Sequence, residues 1–143
     1  MTDTLLQVDG LQVAYRGRDG VVPVVHGVSF ELGREKLALV GESGSGKTTV
    51  GRALLRLLPR HAQVSARTLR FDGMDLLAAS DAQMGQLRGS RLSMIMQDPK
   101  YSLNPVMPVG AQIGEAVRRS TPLGRAACNE RVEQLLARVR IRE

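Results

Sequence analysis

The sequence predicts an α/β fold organised around a phosphate-binding loop. Two observations support this prediction. Residues 41–48 spell G-x-x-x-x-G-K-[ST] without a gap. An apolar stretch at 36–40 precedes the motif, and a helical pattern at 48–58, stopped by Pro59, follows it. A strand, a glycine-rich loop and a helix in this order form a nucleotide-binding unit.

The residue types of the loop suit a di- or triphosphate. Glycines let the backbone turn closely around an anion, so that successive N–H groups point at it. Lys47 supplies a cation for the β- and γ-phosphates, and the Thr48 hydroxyl is placed to ligate Mg²⁺. The predicted nucleotide-binding residues are Gly41, Glu42, Ser43, Gly44, Ser45, Gly46, Lys47, Thr48 and Thr49.

Composition narrows the class of protein. A chain of 143 residues with 43% hydrophobic content fits one domain with a core. The net charge of +6 comes from scattered arginines, and aromatic residues make up only 3%, so we expect solvated faces and no nucleic-acid surface. The single cysteine fits a reducing compartment. No apolar run reaches the roughly 18 residues of a membrane helix, and no signal peptide is recognisable, so we expect a soluble or peripheral protein.

Short apolar stretches before the loop predict strands. The first two are separated by Asp9-Gly10, a dipeptide typical of a tight hairpin turn, and are expected to be antiparallel. A polar segment at 16–20 precedes the next pair. The four predicted strands are 5–8, 11–15, 21–25 and 28–32.

The remaining elements alternate between strands and helices. Asp72-Gly73 predicts a turn, and the three prolines within 97–108 predict a loop. Thr121-Pro122 predicts the cap and first position of the last helix. The predicted elements are strands at 68–71 and 92–96, helices at 81–88 and 109–119, and a final helix from 121 with an apolar stripe reaching Val139.

The sequence around Gln97 resembles one family. The predicted strand at 92–96 ends in Gln97-Asp98-Pro99 and continues as K-Y-S-L-N-P. With the phosphate-binding loop, this resembles the ATP-binding subunits of ABC transporters, whose Q-loop glutamine follows such a strand. The S-L-N-P run, with the V-G and Q-I pairs just beyond, is similar to the dipeptide, oligopeptide and nickel importer branch. The resemblance covers essentially the whole chain, although Met96 and the Lys100-Tyr101 pair depart from the pattern of that branch.

The resemblance implies roles for two further residues. Tyr15 matches the aromatic residue that stacks on adenine, and the Gln97 amide matches the group that reaches the Mg²⁺ or the attacking water. An alternative assigns Mg²⁺ to Asp98, because other enzymes with this loop use an Asp at a strand end. The Gln-Asp-Pro order argues against that alternative.

The resemblance also implies the organisation of the chain as a P-loop NTPase. We expect an antiparallel β subdomain at 1–35, part of the nucleotide-binding core at 36–97, and the Q-loop with the start of a helical subdomain at 98–143. In this family the L-S-G-G-Q motif, the Walker B residues and the switch histidine follow the Q-loop, and the 143 residues contain none of them. The chain therefore resembles the first half of such a domain. We expect exposed apolar surface, an unpaired sheet edge and no ATP turnover by the chain alone.

The leading functional hypothesis is the ATP-binding component of an importer of peptides or nickel. It would hydrolyse MgATP at the cytoplasmic face of the membrane, as a peripheral subunit. The partners implied are a second ATP-binding subunit, integral membrane permeases and, indirectly, an extracytoplasmic solute-binding protein. One alternative is a nucleotide-binding module without catalysis. A DNA-associated ATPase is disfavoured, because no arginine cluster or aromatic stripe accompanies the positive charge.

Overall fold

The computed structural model describes residues 4–18, 20–97 and 102–141. The chain forms two compact units, Met1–Gly85 and Gln86–Glu143. The first contains an antiparallel sheet and the phosphate-binding loop, and the second contains a helical hairpin. The predicted division of the chain at residues 35 and 97 stays a prediction.

The first strand, β1, runs without interruption over Leu6–Gly17, so the predicted hairpin turn at Asp9-Gly10 is wrong. Leu6 and Val8 are buried before the dipeptide, and Leu11 and Val13 are buried after it. The buried residues of β1 thus have even numbers before the dipeptide and odd numbers after it. A β-bulge explains this change. One extra residue in the strand turns the side chains that follow it, so that odd-numbered residues now point to the face that packs in the core. The pairing register of β1 shifts between Val8 and Leu11, as a bulge requires.

Polar contacts hold the bulge. Gly10 has a φ of 64°, and its N–H donates to Ser29 Oγ at 2.8 Å. Ser29 Oγ in turn donates to Asp9 Oδ1 at 3.1 Å. The Arg67 guanidinium donates from Nε to Asp9 Oδ2 at 2.7 Å, and its pairing with that carboxyl lowers the pKa of Asp9. The bulge is therefore bound to both neighbouring parts of the sheet.

In the part of the chain that the structure describes, four more strands join β1 in one sheet. The predicted strands at 21–25 and 28–32 are one strand, β2 (Gly20–Leu32), which pairs antiparallel with β1. The opposite edge of β1 pairs with β3 (Ala62–Ser65) and β4 (Thr68–Phe71), and β4 pairs with β5 (Met74–Asp75). β4 is confirmed at its predicted bounds, whereas β3 was not predicted because it is only four residues long and half of them are polar.

The turn at Asp72-Gly73 is confirmed. Its φ angles are 48° and 77°, so both residues are left-handed. Two left-handed residues between Phe71 and Met74, which face each other across the strands, match a type I′ hairpin. The same Asp-Gly dipeptide therefore forms a turn here and a bulge in β1.

Helix α1 covers Lys47–Leu54 and ends four residues before the predicted limit at 58. Arg56 has a φ of 51°, its N–H donates to Ala53 O at 3.0 Å, and the Leu57 N–H donates to Arg52 O at 2.8 Å. These are the two bonds of a Schellman motif, which ends a helix. The Arg56 side chain donates to Ala79 O and lies 3.5 Å from Asp81, so tertiary contacts hold this left-handed arginine.

The predicted strand at 36–40 is wrong. These residues have no regular secondary structure, and Leu37, Leu39 and Val40 are 47%, 44% and 92% exposed. A buried parallel strand needs hydrogen-bonded neighbours. Among residues 4–18, 20–97 and 102–141, no strand pairs with this segment.

Helix α2 (Asp81–Leu87) confirms the helix predicted at 81–88 to within one residue. A capping box begins it: Ser80 N–H donates to Gln83 Oε1 at 2.8 Å, and Gln83 N–H donates to Ser80 Oγ at 3.3 Å. The strand predicted at 92–96 is wrong, since these residues form no strand and Ile95 is 96% exposed. Leu92 makes only an isolated bridge with Arg88.

Helices α3 (Val109–Ser120) and α4 (Arg125–Arg138) pack against each other in the second unit. α3 confirms the prediction, but α4 begins after the predicted Thr121-Pro122 cap because the Thr121 backbone is extended and closes α3. Gly110 and Gly114 of α3 lie beside side chains of α4. A Cβ added at Gly114 would lie 3.7 Å from Cys128 Sγ, and the Cys128 thiol donates to Gly114 O at 3.5 Å.

Two glycine substitutions test how backbone conformation contributes to stability. Added methyl groups at Gly73 and Gly85 would meet no atom within 4 Å, but only Gly73 has a positive φ, of 77°. We expect Gly73→Ala to lower the free energy of unfolding by about 1–2 kcal/mol. The matched control Gly85→Ala, within α2, should raise it by roughly 0.5–1 kcal/mol. Urea unfolding of both variants measures the difference, and equal effects would contradict the assigned turn.

Candidate nucleotide-binding site

The loop at residues 41–46 bends tightly before α1. Gly44 and Gly46 have φ angles of 82° and 89°, which favour glycine. Ser45 N–H donates to Glu42 O at 3.2 Å, closing a turn within the loop. A Cβ at Gly41 would lie 2.7 Å from Ser45 Oγ, so a larger residue there would require the Ser45 hydroxyl to rotate away. The sequence motif thus coincides with a backbone that only glycines adopt without strain.

The Lys47 side chain folds back over this loop. Its ammonium donates to Gly41 O at 2.8 Å and to Glu42 O at 2.6 Å. A third, longer bond reaches Ser45 Oγ at 3.3 Å. A lysine ammonium has three donors, so these acceptors fix its position at the mouth of the loop. A cation held in this way is placed to attract an anion to the loop.

The start of α1 offers backbone donors beside the cation. Gly46 is the N-cap and has no side-chain cap, and the first intrahelical bond runs from Val50 N–H to Gly46 O at 2.9 Å. The N–H groups of the preceding first-turn residues therefore have no intrahelical acceptor. The helix dipole adds partial positive charge at the same end. These donors, with Lys47, fit a phosphate group, and the exposed Thr48 in the first turn supplies a hydroxyl suited to Mg²⁺.

The Gly46 backbone also lies close to strand β2 of the sheet. A Cβ there would lie 3.0 Å from Val24 O and 3.2 Å from Val25 Cγ2. Val13 faces Val25 across the β1–β2 pair and Ala14 faces Pro23, so Val24 is an extra residue at a bulge. The bulge and the missing side chain together allow the loop to approach β2.

Tyr15 lies near this contact in the sheet. It is half-buried and pairs with Val22 on β2 and with Ala62 on β3. Alternation along β1 places it on the same face as Val13, the residue opposite Val25. Val22 is two residues from Val24, roughly 7 Å along an extended strand. The predicted base-stacking residue and the phosphate-binding loop therefore share one face of the sheet.

Gln97 lies in the second unit. It is exposed and forms a bend after the irregular segment that ends at Met96. Asp98, the alternative Mg²⁺ ligand, and residues 99–101 lie outside the described residues. The role predicted for Gln97 stays a prediction.

A single side chain braces the S-L-N-P segment. Gln112 Oε1 accepts from Asn104 N–H at 2.9 Å, and Gln112 Nε2 donates to Asn104 O and Met107 O at 2.9 Å each. Asn104 Oδ1 accepts from Val106 N–H at 3.1 Å. The segment is thus a braced turn that exposes Val106 and Leu103 at 86% and 47%. The sequence associated Gln112 with S-L-N-P only through family resemblance, and the bonds give the physical link.

Sequence reasoning missed two contacts of this site. One is between Tyr15 and His61, whose ring centroids lie 5.7 Å apart. The approach of Gly46 to Val24 was also missed, because it joins segments far apart in the chain. No local pattern indicates either contact. Among the described residues, no cluster of three His, Cys, Asp or Glu side chains could hold a metal ion.

A glycine-rich loop with its lysine, a helix start and an antiparallel sheet define a nucleotide-binding domain of the P-loop NTPase class. The family model described as ABC transporter matches residues 25–143. The chain therefore belongs to the ABC transporter family, and its loop is that of an ATP-binding domain.

Similar proteins are named as peptide transport components. The chain is 41% identical over 141 residues to a probable peptide ABC transporter ATP-binding protein of Sinorhizobium fredii, covering 97% of this chain and 42% of that protein. It is 39% identical over 139 residues to the oligopeptide transport ATP-binding protein OppD of Bacillus subtilis, with coverage of 96% and 39%. The dipeptide transport ATP-binding protein DppD of Bacillus subtilis is 39% identical over 141 residues, with coverage of 97% and 42%.

The chain spans about two fifths of the length of these relatives. Within residues 4–18, 20–97 and 102–141, no helix has both the length and the apolar character needed to cross a bilayer.

Two loop variants test the contact between Gly46 and β2. Gly44 and Gly46 both have a positive φ, but an added Cβ meets no atom within 4 Å at Gly44 and meets the Val24 carbonyl at 3.0 Å at Gly46. We expect Gly44→Ala to cost about 1–2 kcal/mol of unfolding free energy from backbone strain. Gly46→Ala should cost clearly more, because a backbone carbonyl cannot move aside. Denaturant titration compares the two, and equal losses would contradict the close approach.

Proposed function

We propose that this chain is the ATP-binding part of an ABC importer that hydrolyses MgATP to drive uptake of peptides or nickel. The observation that carries the proposal is the loop itself, whose Lys47 ammonium is fixed by two carbonyls beside the free donors of α1. Similarity to relatives named for peptide, oligopeptide and dipeptide transport supports the class of cargo. Nickel is included only because the S-L-N-P run resembles a branch that contains both.

Phosphate recognition is assigned to the loop and Lys47. The backbone N–H groups around Gly44, Gly46 and the first turn of α1 would surround the β- and γ-phosphates. Lys47 would keep its short bonds to Gly41 and Glu42 and exchange its longer bond to Ser45 Oγ for a phosphate oxygen. The Thr48 hydroxyl would ligate Mg²⁺, which supplies charge neutralisation at the phosphates. Ser43 and Thr49 complete the predicted set of loop contacts.

The adenine base is assigned to Tyr15. This ring is half-buried, which limits its motion while leaving part of it accessible for stacking. Its place on the face of the sheet that Gly46 approaches supports the assignment. A base on Tyr15 and phosphates on the loop would use one surface of the first unit.

Hydrolysis is assigned to Gln97 together with groups contributed from outside residues 1–143. The Gln97 amide would reach the Mg²⁺ or orient the attacking water, so that positioning and electrostatics supply the catalysis. A second ATP-binding subunit would close the site at a dimer interface, at the cytoplasmic face of the membrane. The free energy of ATP hydrolysis would drive the permease subunits, and a solute-binding protein would act through those permeases. The braced turn at Asn104 supports a surface role for the segment after Gln97.

A second candidate function is ATP binding without catalysis. The same loop geometry carries it, because the backbone donors and Lys47 can bind phosphate whether or not hydrolysis follows. The two proposals differ in whether the chain, combined with permeases and a second subunit, releases phosphate from ATP. Sustained release supports the importer, and saturable binding without release supports the binding module.

Replacing the loop lysine tests the phosphate site. We expect Lys47→Ala to abolish MgATP binding in a folded protein, because the cation and the loop amides act on the same phosphates. Lys36→Ala is the matched control, since Lys36 is an exposed lysine just before the loop. Equilibrium dialysis with labelled ATP measures both variants, and circular dichroism checks their folding. An unchanged affinity in folded Lys47→Ala would show that the loop is not the site.

Replacing Gln97 tests coupling in the complete protein assembled with its permeases. We expect Gln97→Ala to keep ATP affinity within about tenfold, roughly 1.4 kcal/mol, because the loop amides, Lys47 and Thr48 remain. Transport-coupled ATPase activity should fall much further. The matched control is Gln134→Ala, which removes an exposed glutamine from α4.

The readouts for this variant are nucleotide affinity and the ATPase rate with and without permease and loaded binding protein. If permease and loaded binding protein stimulate the ATPase rate of Gln97→Ala by the same ratio as in the wild type, Gln97 has no coupling role and is an ordinary loop residue.

A further inference from the structure

The Tyr15 ring has a neighbouring ring that the proposed ATP site does not use. The centroids of Tyr15 and His61 are 5.7 Å apart, and the ring planes are inclined by 51°. Aromatic side chains favour separations of about 4.5–7 Å with offset or tilted planes. The pair therefore has the geometry of a stabilising ring contact.

The backbone fixes His61 at this position. The Arg16 N–H, next to Tyr15, donates to His61 O at 3.1 Å. Ala62, the residue after His61, begins β3 and pairs with Tyr15 across the strands. The turn before β3 is closed by a bond from Ala62 N–H to Pro59 O at 2.9 Å. The backbone around His61 is thus held to β1 at Tyr15 and Arg16, while the His61 side chain remains exposed.

We propose that His61 is a positioning residue for nucleotide binding, which holds the Tyr15 ring in the orientation that receives the purine. The inference rests on the proposed function of Tyr15. A stacking platform that rotates freely must be ordered when the base binds, and that ordering weakens affinity. A neighbouring ring that restricts Tyr15 beforehand removes part of this cost. His61 acts through Tyr15 and needs no contact with phosphate or metal.

The position of His61 beside Tyr15 predicts which part of the nucleotide depends on the His61 ring for its binding. Purine stacking depends on Tyr15, whereas the phosphates depend on the loop and on Lys47, whose ammonium donates to acceptors of the loop. Loss of the His61 ring should therefore weaken ATP and leave inorganic tripolyphosphate unaffected. The second probe carries phosphates without a base.

The experiment measures dissociation constants of ATP and tripolyphosphate, each with Mg²⁺, for the full chain. Because an aromatic contact has a modest strength, His61→Ala should weaken ATP by about twofold to tenfold and tripolyphosphate by less than the experimental error. His61→Phe keeps a ring and should restore ATP affinity. His26→Ala removes the other histidine, which is exposed on β2 opposite Gln12, and should match the wild type for both probes.

A double variant tests whether His61 acts through Tyr15. Tyr15→Ala should weaken ATP alone, and adding His61→Ala to it should cause no further loss. Additive losses, unchanged ATP affinity in His61→Ala, or equal weakening of both probes would each overturn the positioning role. Unchanged ATP affinity in Tyr15→Ala would also overturn it, while leaving the phosphate site intact. Failure of the proposed function differs from all of these, because wild-type protein would then bind neither probe.

Discussion

The contact between the Gly46 backbone and β2 is the constraint on which the arrangement of the site depends. A Cβ at Gly46 would meet the Val24 carbonyl at 3.0 Å, and the φ of Gly46 is 89°, so the approach strongly favours glycine. It sets where the loop ends, where α1 begins, and which face of the sheet lies beside the anion-binding donors. Val24 can meet the loop because it is an extra residue between two paired positions of β2. A local irregularity of one strand thus fixes the position of the phosphate-binding loop against the sheet.

Sequence reasoning succeeded where short-range chemistry determines structure. The loop motif predicted the left-handed glycines and the helix start, and Asp72-Gly73 predicted a turn. It failed where the outcome depends on a distant partner. Asp9-Gly10 has the same composition as Asp72-Gly73 but forms a bulge, because Ser29 and Arg67 bind it within a continuous sheet. The apolar stretch at 36–40 has the pattern of a buried strand, yet no described strand supplies the hydrogen bonds that would make it one.

The end of α1 shows the same dependence on distant residues. Its apolar stripe continues to Leu58, and only Pro59 indicates a stop in the sequence. The helix nevertheless ends at Leu54, because Arg56 adopts a left-handed conformation and bonds to Ala79. The contacts of His61 in the first unit and of Gln112 in the second were missed for the same reason. Their partners, Tyr15 and Asn104, are joined to them by strand pairing and by a folded turn, which local periodicity does not encode.

The bonds of Lys47 explain how a flexible side chain can serve a precise site. A lysine has about 2 kcal/mol of rotamer entropy to lose, which weakens binding if it is lost only when the ligand arrives. Here the carbonyls of Gly41 and Glu42 order the ammonium within the loop beforehand. The bond to Ser45 Oγ is the longest of the three, and under the proposed function it is the one that an incoming phosphate oxygen would replace. The loop therefore orders its own cation before any ligand arrives, beside the backbone donors at the start of α1.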